Sequence, residues 1–512
     1  MMDEFQDTSA MQWQNFKPLM DNSLASGNEN LIVGDVKQSI YRWRNSDWRL
    51  LDRQLFDDFS NGQIHEEYLN DNWRSCRNVI DFNNLFFDRA SLFMQQLFND
   101  DLPEHYQGDL DRRLKEAYKG LFQHYSLKAG EGHVEVRFVN NEEKAWKENS
   151  LAQLPAIIEQ WQDKGFALRD MAVLVRRNSE ATEVVEYLLQ YKNSELARDG
   201  YRYDVISNEA LVIGNSLAVR FVIEALRYIL RPDDKLLQTL VPYLYFVLHQ
   251  GKAPHEALAA CFDNPEGANT RMVHEELRRL INEGTNRSIF ELSEELIWLF
   301  GLKSNEGEDV YLQAFQDLVH QYSIKESAGI AAFLEWWEEK GALKTIASPD
   351  AQDAIRVLTV HKSKGLGFEA VVMPFADWSL DNNNRDIIWC EPMVAPFSEL
   401  ELTPVQYSSS LAKTIFAADY FEERMASFID NLNVAYVAFT RAKQEMVLLA
   451  PQPKPNAKGE IKVSSLATLL HCCISNELPA ENISDDATEA FRSFAPFWNN
   501  ESLVLDMGNT AQ

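Results

Sequence analysis

The chain has 512 residues, enough for about three domains, and its 45% hydrophobic and 25% charged content is ordinary for a globular protein. Its 49 basic and 78 acidic residues give a net charge of −29, which argues against a protein that coats nucleic acid through overall charge and leaves only a local site. The sequence has no apolar run of ~18 residues, no signal-peptide pattern and no C-x-x-C pair, so we expect no membrane span, metal-binding cysteine site or disulfide framework, and reduced thiols in a cytoplasmic protein.

An adjacent pair of carboxylates, Asp3 and Glu4, opens the chain within the sequence M-M-D-E-F-Q-D-T-S. In such a pair one carboxylate can hold Mg²⁺, usually through water, while the other orients or deprotonates an attacking water. The pair normally ends a buried strand of ~5–6 residues, and only two residues precede it here. We therefore expect the chain to begin inside a domain.

The stretch Leu31–Asp47 reads L-I-V-G-D-V-K-Q-S-I-Y-R-W-R-N-S-D. It predicts a buried strand over residues 31–33 and a turn at residues 34–35, followed by Lys37, Gln38 and interleaved aromatic and arginine residues. A phosphate-sensing end beside a cationic stacking surface could couple nucleotide chemistry to a nucleic-acid strand. The structural alternative is a strand, a turn and a helix with an aromatic face.

A second aromatic–arginine pair, Trp73-Arg74, lies in N-D-N-W-R-S over residues 70–75. The pair suits stacking and phosphate contact, although the same residues could begin a helix capped by Asn72 or Ser75. Further along, Met171–Arg177 predicts a buried strand that ends in two arginines.

Residues 205–350 change in character and predict an inserted helical domain. Apolar residues recur at helical spacing over 215–230, and further helical patterns cover 271–283, 288–300, 308–323 and 328–340. Phe333, Trp336 and Trp337 could stack on bases, but their spacing favours core packing.

Strands are predicted again at residues 356–360 and 370–373, on either side of H-K-S-K-G-L-G-F. A loop rich in Lys, Ser and Gly offers amides and cations to phosphate, or is simply a solvated turn. A very apolar helix then ends near Arg441, which could instead cap the helix carbonyls, and a strand follows at residues 446–449. Beyond residue 451 we predict one short helix near residues 464–473 and an acidic tail.

Five motifs occur in order over about residues 1–450: D-E-F-Q-D, G-D-V-K-Q-S-I-Y-R-W-R, N-W-R-S, T-V-H-K-S-K-G-L-G-F and Y-V-A-F-T-R-A-K. They resemble motifs II to VI of the UvrD/RecB-like superfamily 1 DNA helicases. The H-x-S-K-G form and the helical insertion are most similar to the RecB and AddA branch. The resemblance implies an α/β fold of the P-loop NTPase type, with two RecA-like lobes, ATP and Mg²⁺ between them, and 3′ to 5′ movement on single-stranded DNA and at duplex ends.

The resemblance also implies roles for individual residues. Asp3 would serve Mg²⁺, Glu4 would activate water, Gln38 would sense the γ-phosphate, and Arg74 and Arg441 would be arginine fingers. Trp73 would stand at the stacking position of its motif, where relatives often have Tyr. The residues that would face DNA, or couple it to nucleotide state, are Tyr41, Trp43, Arg44, His361, Ser363 and Lys364.

Three departures from the family pattern matter. Gly367 stands where many relatives have a glutamate that contacts the ribose. The sequence contains no G-x-x-x-x-G-K-[S/T], the loop whose amides and lysine cradle phosphates. Residues 451–512 also lack the Asp…Glu…Lys arrangement of the nuclease domain in some RecB relatives, so the sequence offers no set of acidic ligands of the kind that a nuclease needs.

The leading interpretation is a piece of an ATP-dependent 3′–5′ helicase of repair or recombination. It contains part of the first lobe (1–65), the second lobe in two halves (66–204 and 351–450), the helical insertion (205–350) and a C-terminal extension (451–512). The alternative is a non-catalytic DNA-binding or subunit-interaction module of a helicase–nuclease complex. Both interpretations imply a possible nuclease or helicase partner subunit.

Overall fold

The structure is a computed structural model that describes residues 1–59, 63–106, 108–126, 130–140, 145–207, 212–250, 252–263, 267–282, 287–304, 308–325, 329–344, 353–381, 386–456, 458–475 and 493–508. The chain forms two compact units. Unit 1 consists of Met1–Ile206 and Asp353–Gln512, and unit 2 consists of Ser207–Gln352. No helix of the described residues is both long enough and apolar enough to cross a membrane.

The first part of unit 1 alternates helices with strands. Its helices are α1 (Ala10–Ala25), α2 (Leu55–Asp58), α3 (Arg77–Asn99), α4 (Arg113–Ala117), α5 (Trp146–Leu151), α6 (Leu154–Asp163) and α7 (Asn178–Lys192). Its strands are β1 (Asp71–Asn72), β2 (His124–Tyr125), β3 (His133–Val139), β4 (Met171–Val175) and β5 (Val205–Ile206). The predicted strand at 171–177 is thus β4, and all five of its residues are buried.

Unit 2 is helical throughout its described residues. Its helices are α8 (Leu217–Leu230), α9 (Lys235–Gln250), α10 (Pro254–Asp263), α11 (Ala268–Asn282), α12 (Ile289–Leu299), α13 (Asp309–Lys325) and α14 (Ile330–Trp336). Ser216 caps α8, since its Oγ accepts a hydrogen bond from the backbone N–H of Val219 at 3.1 Å. Unit 2 has its own apolar core, in which Phe333 and Trp337 are buried, so these aromatic side chains are core residues.

The chain then returns to unit 1 for its remaining elements. These are β6 (Ile355–Thr359), α15 (Val360–Ser363), β7 (Phe368–Met373), β8 (Ile387–Cys390), β9 (Thr403–Gln406), α16 (Ala417–Phe439), β10 (Ala442–Pro451), α17 (Leu466–Ser475), β11 (Trp498–Asn499) and β12 (Val504–Met507). The helix predicted near residues 464–473 is α17.

One eight-stranded sheet organises unit 1, in the order β11-β12-β3-β10-β7-β4-β6-β5. The six strands from β3 to β5 are all parallel to their neighbours. Central strands of such a sheet are covered on both faces and therefore read as continuous apolar runs, as β4 does. The prediction that the strands near residues 171, 356, 370 and 446 share one largely parallel sheet is confirmed, as is the α/β class.

One prediction about strands was wrong, and one strand was not predicted. Residues 31–33 do not form a buried strand: Leu31 is 55% exposed, and only Ile32 makes a single parallel bridge, to Met2. The tail after residue 451 is not merely an acidic extension, because β12 pairs antiparallel with β3 and lengthens the sheet. A two-residue apolar alternation such as Leu505 and Met507 is too short for the sequence alone to identify as a strand.

Candidate functional site

A cavity of about 420 Å³ lies in unit 1 where four segments of the chain, distant in sequence, meet. Its volume is within the range of small-molecule sites. The cavity brings together four of the predicted site residues, Gln38, Trp73, Arg74 and Arg441, which are far apart in sequence. It is lined by Gln38, Asp71, Asn72, Trp73, Arg74, Gln123, Tyr436, Thr440 and Arg441.

Arg441 is held rigidly at the floor of this cavity, with only 2% of its surface exposed. Its Nε donates to the carbonyl of Val437 at 2.7 Å, its Nη1 to the carbonyl of Leu366 at 2.9 Å and its Nη2 to Thr440 Oγ1 at 3.0 Å. The first of these bonds is the helix-capping contact that the sequence offered as an alternative. Arg441 therefore caps α16 and also lines the cavity.

The cavity is electropositive because two guanidinium groups share it. Burial, followed by repulsion from Arg74, lowers the pKa of Arg441 to about 10, so Arg441 stays charged at neutral pH. Within the described residues neither arginine is ion-paired. Two cations without ion-pair partners, the buried Arg441 and the exposed Arg74, meet at one cavity and form a site for an anion such as a phosphate group.

Trp73 and Arg74 project from a turn that Asn72 holds. The side-chain Oδ1 of Asn72 accepts hydrogen bonds from the backbone N–H groups of Arg74 at 2.8 Å and Ser75 at 3.0 Å, which is an Asx turn. The following helix α3 begins only at Arg77, so Asn72 is not its N-cap. The Trp73 side chain is 81% exposed, and its ring is free to stack on a planar ligand.

Gln38 ends a short 3₁₀ turn, Val36–Gln38, that Asp35 organises. Gln38 Nε2 donates to Asp35 Oδ2 at 3.0 Å, and Lys37 Nζ lies 2.8 Å from Asp35 Oδ1. From the other side, Asn433 on α16 donates to the carbonyls of Val36 and Ser39 at 2.9 and 3.0 Å. This turn is therefore hydrogen-bonded to α16, the helix that Arg441 caps.

The carboxylates Asp3 and Glu4 lie outside the lining of the cavity but are linked to the Gln38 turn through Gln6. Gln6 Nε2 donates to Glu4 Oε2 at 2.6 Å, while Gln6 Oε1 accepts from the backbone N–H of Asp35 at 3.0 Å. Gly34 lies beside this link, and a Cβ at its position would lie 2.7 Å from Gln6 Oε1 and so displace the Gln6 side chain.

Both carboxylates are exposed, which fits a role toward Mg²⁺ and phosphate. Asp3 Oδ1 accepts from the backbone N–H of Glu4 at 2.9 Å, and Glu4 has a left-handed backbone with φ of 53°. Mg²⁺ is commonly held by one or two carboxylates, waters and phosphate oxygens, and Asp3 offers a carboxylate of this kind. Among the described residues there is no group of three or more ligands that could hold a metal by itself.

Lys364 connects this N-terminal segment to the loop after β6. Its Nζ lies 2.8 and 2.7 Å from the two carboxylate oxygens of Asp7 and 3.4 Å from Glu4 Oε2, and only 7% of its side chain is exposed. Burial raises the pKa of Asp7 although Lys364 acts in the opposite direction. Lys364 thus faces carboxylates inside unit 1 and not the solvent.

The other two residues predicted in that loop also point inward. Ser363 is buried, and its Oγ donates to the carbonyl of Val360 at 2.8 Å. Burial, then the charge of Arg176, lowers the pKa of His361 to about 4, so its imidazole is neutral at pH 7. The carbonyl of His361 accepts from the Tyr41 hydroxyl at 2.9 Å.

A separate exposed surface is formed by Tyr41, Trp43 and Arg44. Trp43 is 65% exposed, and the Arg44 guanidinium lies 4.5 Å from the centre of its indole ring. Tyr41 meets Trp43 edge to face at 6.4 Å. The structure therefore presents an aromatic ring with a cation beside it, the combination that suits a stacked base and its phosphate.

Four residues that organise the site were not identified from the sequence as functional: Gln6, Asp7, Asp35 and Asn433. Gln6, Asp7 and Asp35 lie inside the quoted motifs, beside residues that were identified. Their polar character within these motifs was the signal that could have identified them. Asn433 gave a different signal, since it is a polar residue in a very apolar helix and is fully buried. A buried polar residue of this kind normally has hydrogen-bond partners.

Comparison with known proteins gives two family matches. Residues 1–57 match the UvrD/REP helicase N-terminal domain, and residues 270–452 match the UvrD-like helicase C-terminal domain.

Similar full-length proteins include an ATP-dependent helicase/nuclease subunit of Lactococcus lactis subsp. cremoris strain SK11, which is 25% identical over 92% of this chain and 42% of its own length. The exonuclease/helicase subunit RexA of strain MG1363 is likewise 25% identical over 92% of the chain and 42% of its own length. The RexA protein of Streptococcus pneumoniae serotype 4 is 22% identical over 88% of the chain and 40% of its own length. The chain spans about two fifths of the length of these relatives.

Proposed function

Because the chain belongs to the UvrD-like helicase family, we propose that it acts in an ATP-dependent DNA helicase or translocase of repair or recombination, moving 3′ to 5′ on single-stranded DNA. The observation that carries the proposal is the cavity shared by Gln38, Trp73, Arg74 and Arg441. A planar stacking group beside two unpaired arginines matches the base and the phosphates of a nucleotide.

Each residue of the cavity has a role in this proposal. Trp73 stacks on the base, and Gln38, which Asp35 orients, contacts the γ-phosphate. Arg74 and Arg441 stabilise negative charge on the transferring phosphoryl group, a contribution that in related systems is ~10³–10⁵ in rate. Because Arg441 is already fixed by three hydrogen bonds, it needs no reorganisation to do so.

Hydrolysis itself is assigned to the N-terminal carboxylates. Asp3 would hold Mg²⁺, and Glu4, positioned by Gln6, would orient and deprotonate the attacking water. Mg²⁺ and ATP supply the phosphoryl group and the charge neutralisation that its transfer requires. Lys364, which contacts both Glu4 and Asp7, would transmit a change at these carboxylates to the loop after β6 and to Tyr41.

Within this proposal the 512-residue chain alone does not hydrolyse ATP, because its sequence lacks a phosphate-cradling loop. Transition-state groups act only on a phosphate that is already held. Helix α1 exposes Met11 at 75% and Leu19 at 66%, an apolar surface onto which a polypeptide carrying such a loop could pack. The division into lobes proposed from the sequence, and the cytoplasmic location, remain predictions.

The test is a complementation assay. A second polypeptide, carrying a G-x-x-x-x-G-K-[S/T] loop on the upstream part of a UvrD-like first lobe, is added and DNA-stimulated phosphate release is measured. We expect hydrolysis only in the mixture, and its loss in Glu4→Gln and in Arg441→Ala. Glu29→Gln and Arg220→Ala are the matched controls, since both change exposed residues that do not line the cavity. Hydrolysis by the chain alone that Glu4→Gln abolishes would contradict this part of the proposal.

The alternative function is a non-catalytic DNA-binding or subunit-interaction module. The exposed surface of Tyr41, Trp43 and Arg44 is the observation that favours it, since that surface needs no ATP to bind a strand. The two functions separate in the same assay. DNA binding without any hydrolysis in the complemented mixture favours the module, and DNA-stimulated hydrolysis favours the helicase.

A further inference from the structure

The antiparallel pair β8 and β9 carries an apolar face that no element in the described part of the chain covers. In β8 the side chains alternate: Ile387 and Trp389 are 65% and 66% exposed, whereas Ile388 and Cys390 are buried. The inner face joins the core of unit 1, and the outer face leaves two large apolar side chains in solvent. A strand that is half in the core normally carries polar residues on its outer face.

The segment that connects β8 to β9 extends the same apolar character. Single exposed apolar residues are normal on protein surfaces, but several close together mark an interaction site. Four residues of this connection are more than half exposed: Met393 at 81%, Val394 at 51%, Phe397 at 53% and Leu402 at 61%. We call the exposed apolar residues between 387 and 402 the hairpin surface.

The segment that carries the hairpin surface has charged residues of one sign, between Arg385 and Lys413. Residues 386–412 contain no lysine, arginine or histidine, while Glu391, Glu399 and Glu401 are exposed within them. None of these three glutamates is ion-paired with a described residue. Unpaired carboxylates beside an apolar surface repel DNA and anionic lipid, and they attract a partner that brings its own cations.

We propose that the hairpin surface is a docking site for a protein segment that presents large apolar side chains beside lysine or arginine. The apolar side chains would cover Ile387, Trp389 and Phe397, and the cations would pair with Glu399 and Glu401. This site is distinct from the nucleotide cavity, and none of the residues that line that cavity belongs to it.

The first experiment selects ligands without assuming a sequence. The full chain is immobilised without DNA or ATP and exposed to a phage-displayed library of random short peptides. Binders to the Ile387→Ser, Trp389→Ser double variant are removed beforehand. We expect the recovered peptides to combine Leu, Ile, Phe or Trp with Lys or Arg and to be depleted in Asp and Glu. Recovery of no peptide specific to the unmodified chain, or of acidic peptides, would overturn the proposal.

The second experiment measures a charge exchange with a recovered basic peptide and with its twin in which Lys and Arg are replaced by Glu. Fluorescence anisotropy should show that the basic peptide binds the Ile387→Ser, Trp389→Ser variant at least about tenfold more weakly than it binds the unmodified chain. The Glu399→Lys, Glu401→Lys variant should lose affinity for the basic peptide and gain it for the acidic twin. Equal binding of both peptides to the unmodified chain would overturn the proposal.

Trp298→Ser and Glu186→Lys are the matched controls, because each changes an exposed residue outside the hairpin surface. Neither should alter peptide binding, and circular dichroism spectra should match for all variants. Sedimentation velocity tests the remaining occupant: dimerisation that Trp389→Ser abolishes would assign the hairpin surface to a second copy of the chain and overturn the proposal. Because no step involves ATP or DNA, these results are independent of the helicase assay.

Discussion

Trp43 and Arg44 are both exposed to solvent, so we expect their substitution to affect DNA binding more than stability. The indole is 65% exposed, so its loss removes little packing from the core. Stacking of a base on an aromatic side chain is worth ~1–3 kcal/mol by alanine substitution. Trp43→Ala should therefore weaken single-stranded DNA binding by the complemented protein about tenfold or more at fixed salt.

The measurement is anisotropy of a labelled oligonucleotide. Trp298→Ala is the control, since that indole is 81% exposed in unit 2 and has no assigned role in DNA binding. An unchanged dissociation constant for Trp43→Ala would indicate that this surface has only a structural role.

Lys364 is a buried charge whose contribution to the free energy of unfolding depends on its partner, Asp7. Removing the ammonium leaves the Asp7 carboxylate partly buried and unpaired, which costs more than the ion pair itself contributes. Lys364→Met should lower the free energy of unfolding by ~2–3 kcal/mol, since Asp7 keeps some contact with solvent.

Adding Asp7→Asn to Lys364→Met should recover part of that loss, because the unpaired charge is then gone. Urea unfolding of both variants, with the exposed Lys119→Met as control, measures the difference. A double variant less stable than Lys364→Met alone would show that Asp7 does not depend on Lys364 for compensation.

The attachment of β12 to the sheet depends on a histidine between two carboxylates. His133 Nδ1 lies 3.0 Å from Glu445 Oε2 and its Nε2 lies 3.0 Å from Asp506 Oδ1, while Lys164 Nζ lies 2.7 Å from Glu445 Oε1. Burial opposes the charged imidazole and Lys164 repels it, but Glu445 and Asp506 outweigh both, and the pKa of His133 is raised. Against the effect of its burial, His133 and Lys164 in turn lower the pKa of Glu445.

A raised histidine pKa means that the folded protein binds the proton more tightly than the unfolded chain does. The stabilisation is complete below the unfolded pKa of about 6.5 and is lost as the pH rises through the raised folded value. We therefore expect hydrogen-exchange protection of residues 504–507 to fall as the pH rises from about 6.5 through the raised pKa of His133. His133→Gln should remove this dependence, and the exposed His65→Gln should keep it. Protection that rises with pH in that window would contradict the assignment.

Prediction of elements from the sequence succeeded where periodicity was long or burial was continuous. The apolar run at residues 171–175 and the helical spacing of residues 215–230 each identified an element, because both patterns follow directly from what covers the element. The run Leu31–Val33 misled, since three apolar residues do not distinguish a strand from an extended segment with one bridge. β12 was missed because its place in the sheet is decided by β3, more than 350 residues away in sequence.

The candidate site shows a similar limit. The order and chemistry of the motifs identified four of the residues that line the cavity, but not whether a given side chain is exposed to solvent or packed against its neighbours. Lys364 and Ser363, which were predicted to face DNA or to couple it to nucleotide state, make their contacts inside unit 1. A loop rich in Lys, Ser and Gly has the same composition whether its side chains face a ligand or pack inside the protein. Only the tertiary contacts distinguish these two arrangements.

At the scale of the whole molecule, unit 2 has a core of its own, so its stability can be measured without unit 1. Phe333 is fully buried there and contacts Trp337 and Tyr322. A fragment of residues 207–352 should therefore give a helical circular dichroism spectrum and a cooperative thermal transition. Phe333→Ala should lower its free energy of unfolding by ~3–5 kcal/mol, and Trp298→Ala, at an exposed position, by less than about 0.5 kcal/mol.

The free energies of unfolding of the fragment and of its two variants are measured by urea unfolding, which is monitored at the helical band of the circular dichroism spectrum. A fragment without a cooperative transition, or equal losses in the two variants, would mean that the core of unit 2 does not sustain its fold alone.

The strand order of the sheet has a consequence for the time course of synthesis. β4 is complete by residue 175, yet both of its neighbours, β6 and β7, lie beyond residue 354. At translation rates of ~5–20 residues per second, β4 spends on the order of 10–40 s without either partner. During that interval all of unit 2 leaves the ribosome. A run of five fully apolar residues with two open edges is a hazard for aggregation on this timescale, so the nascent chain should depend on a chaperone or on early cover from α6 and α7 until β6 arrives.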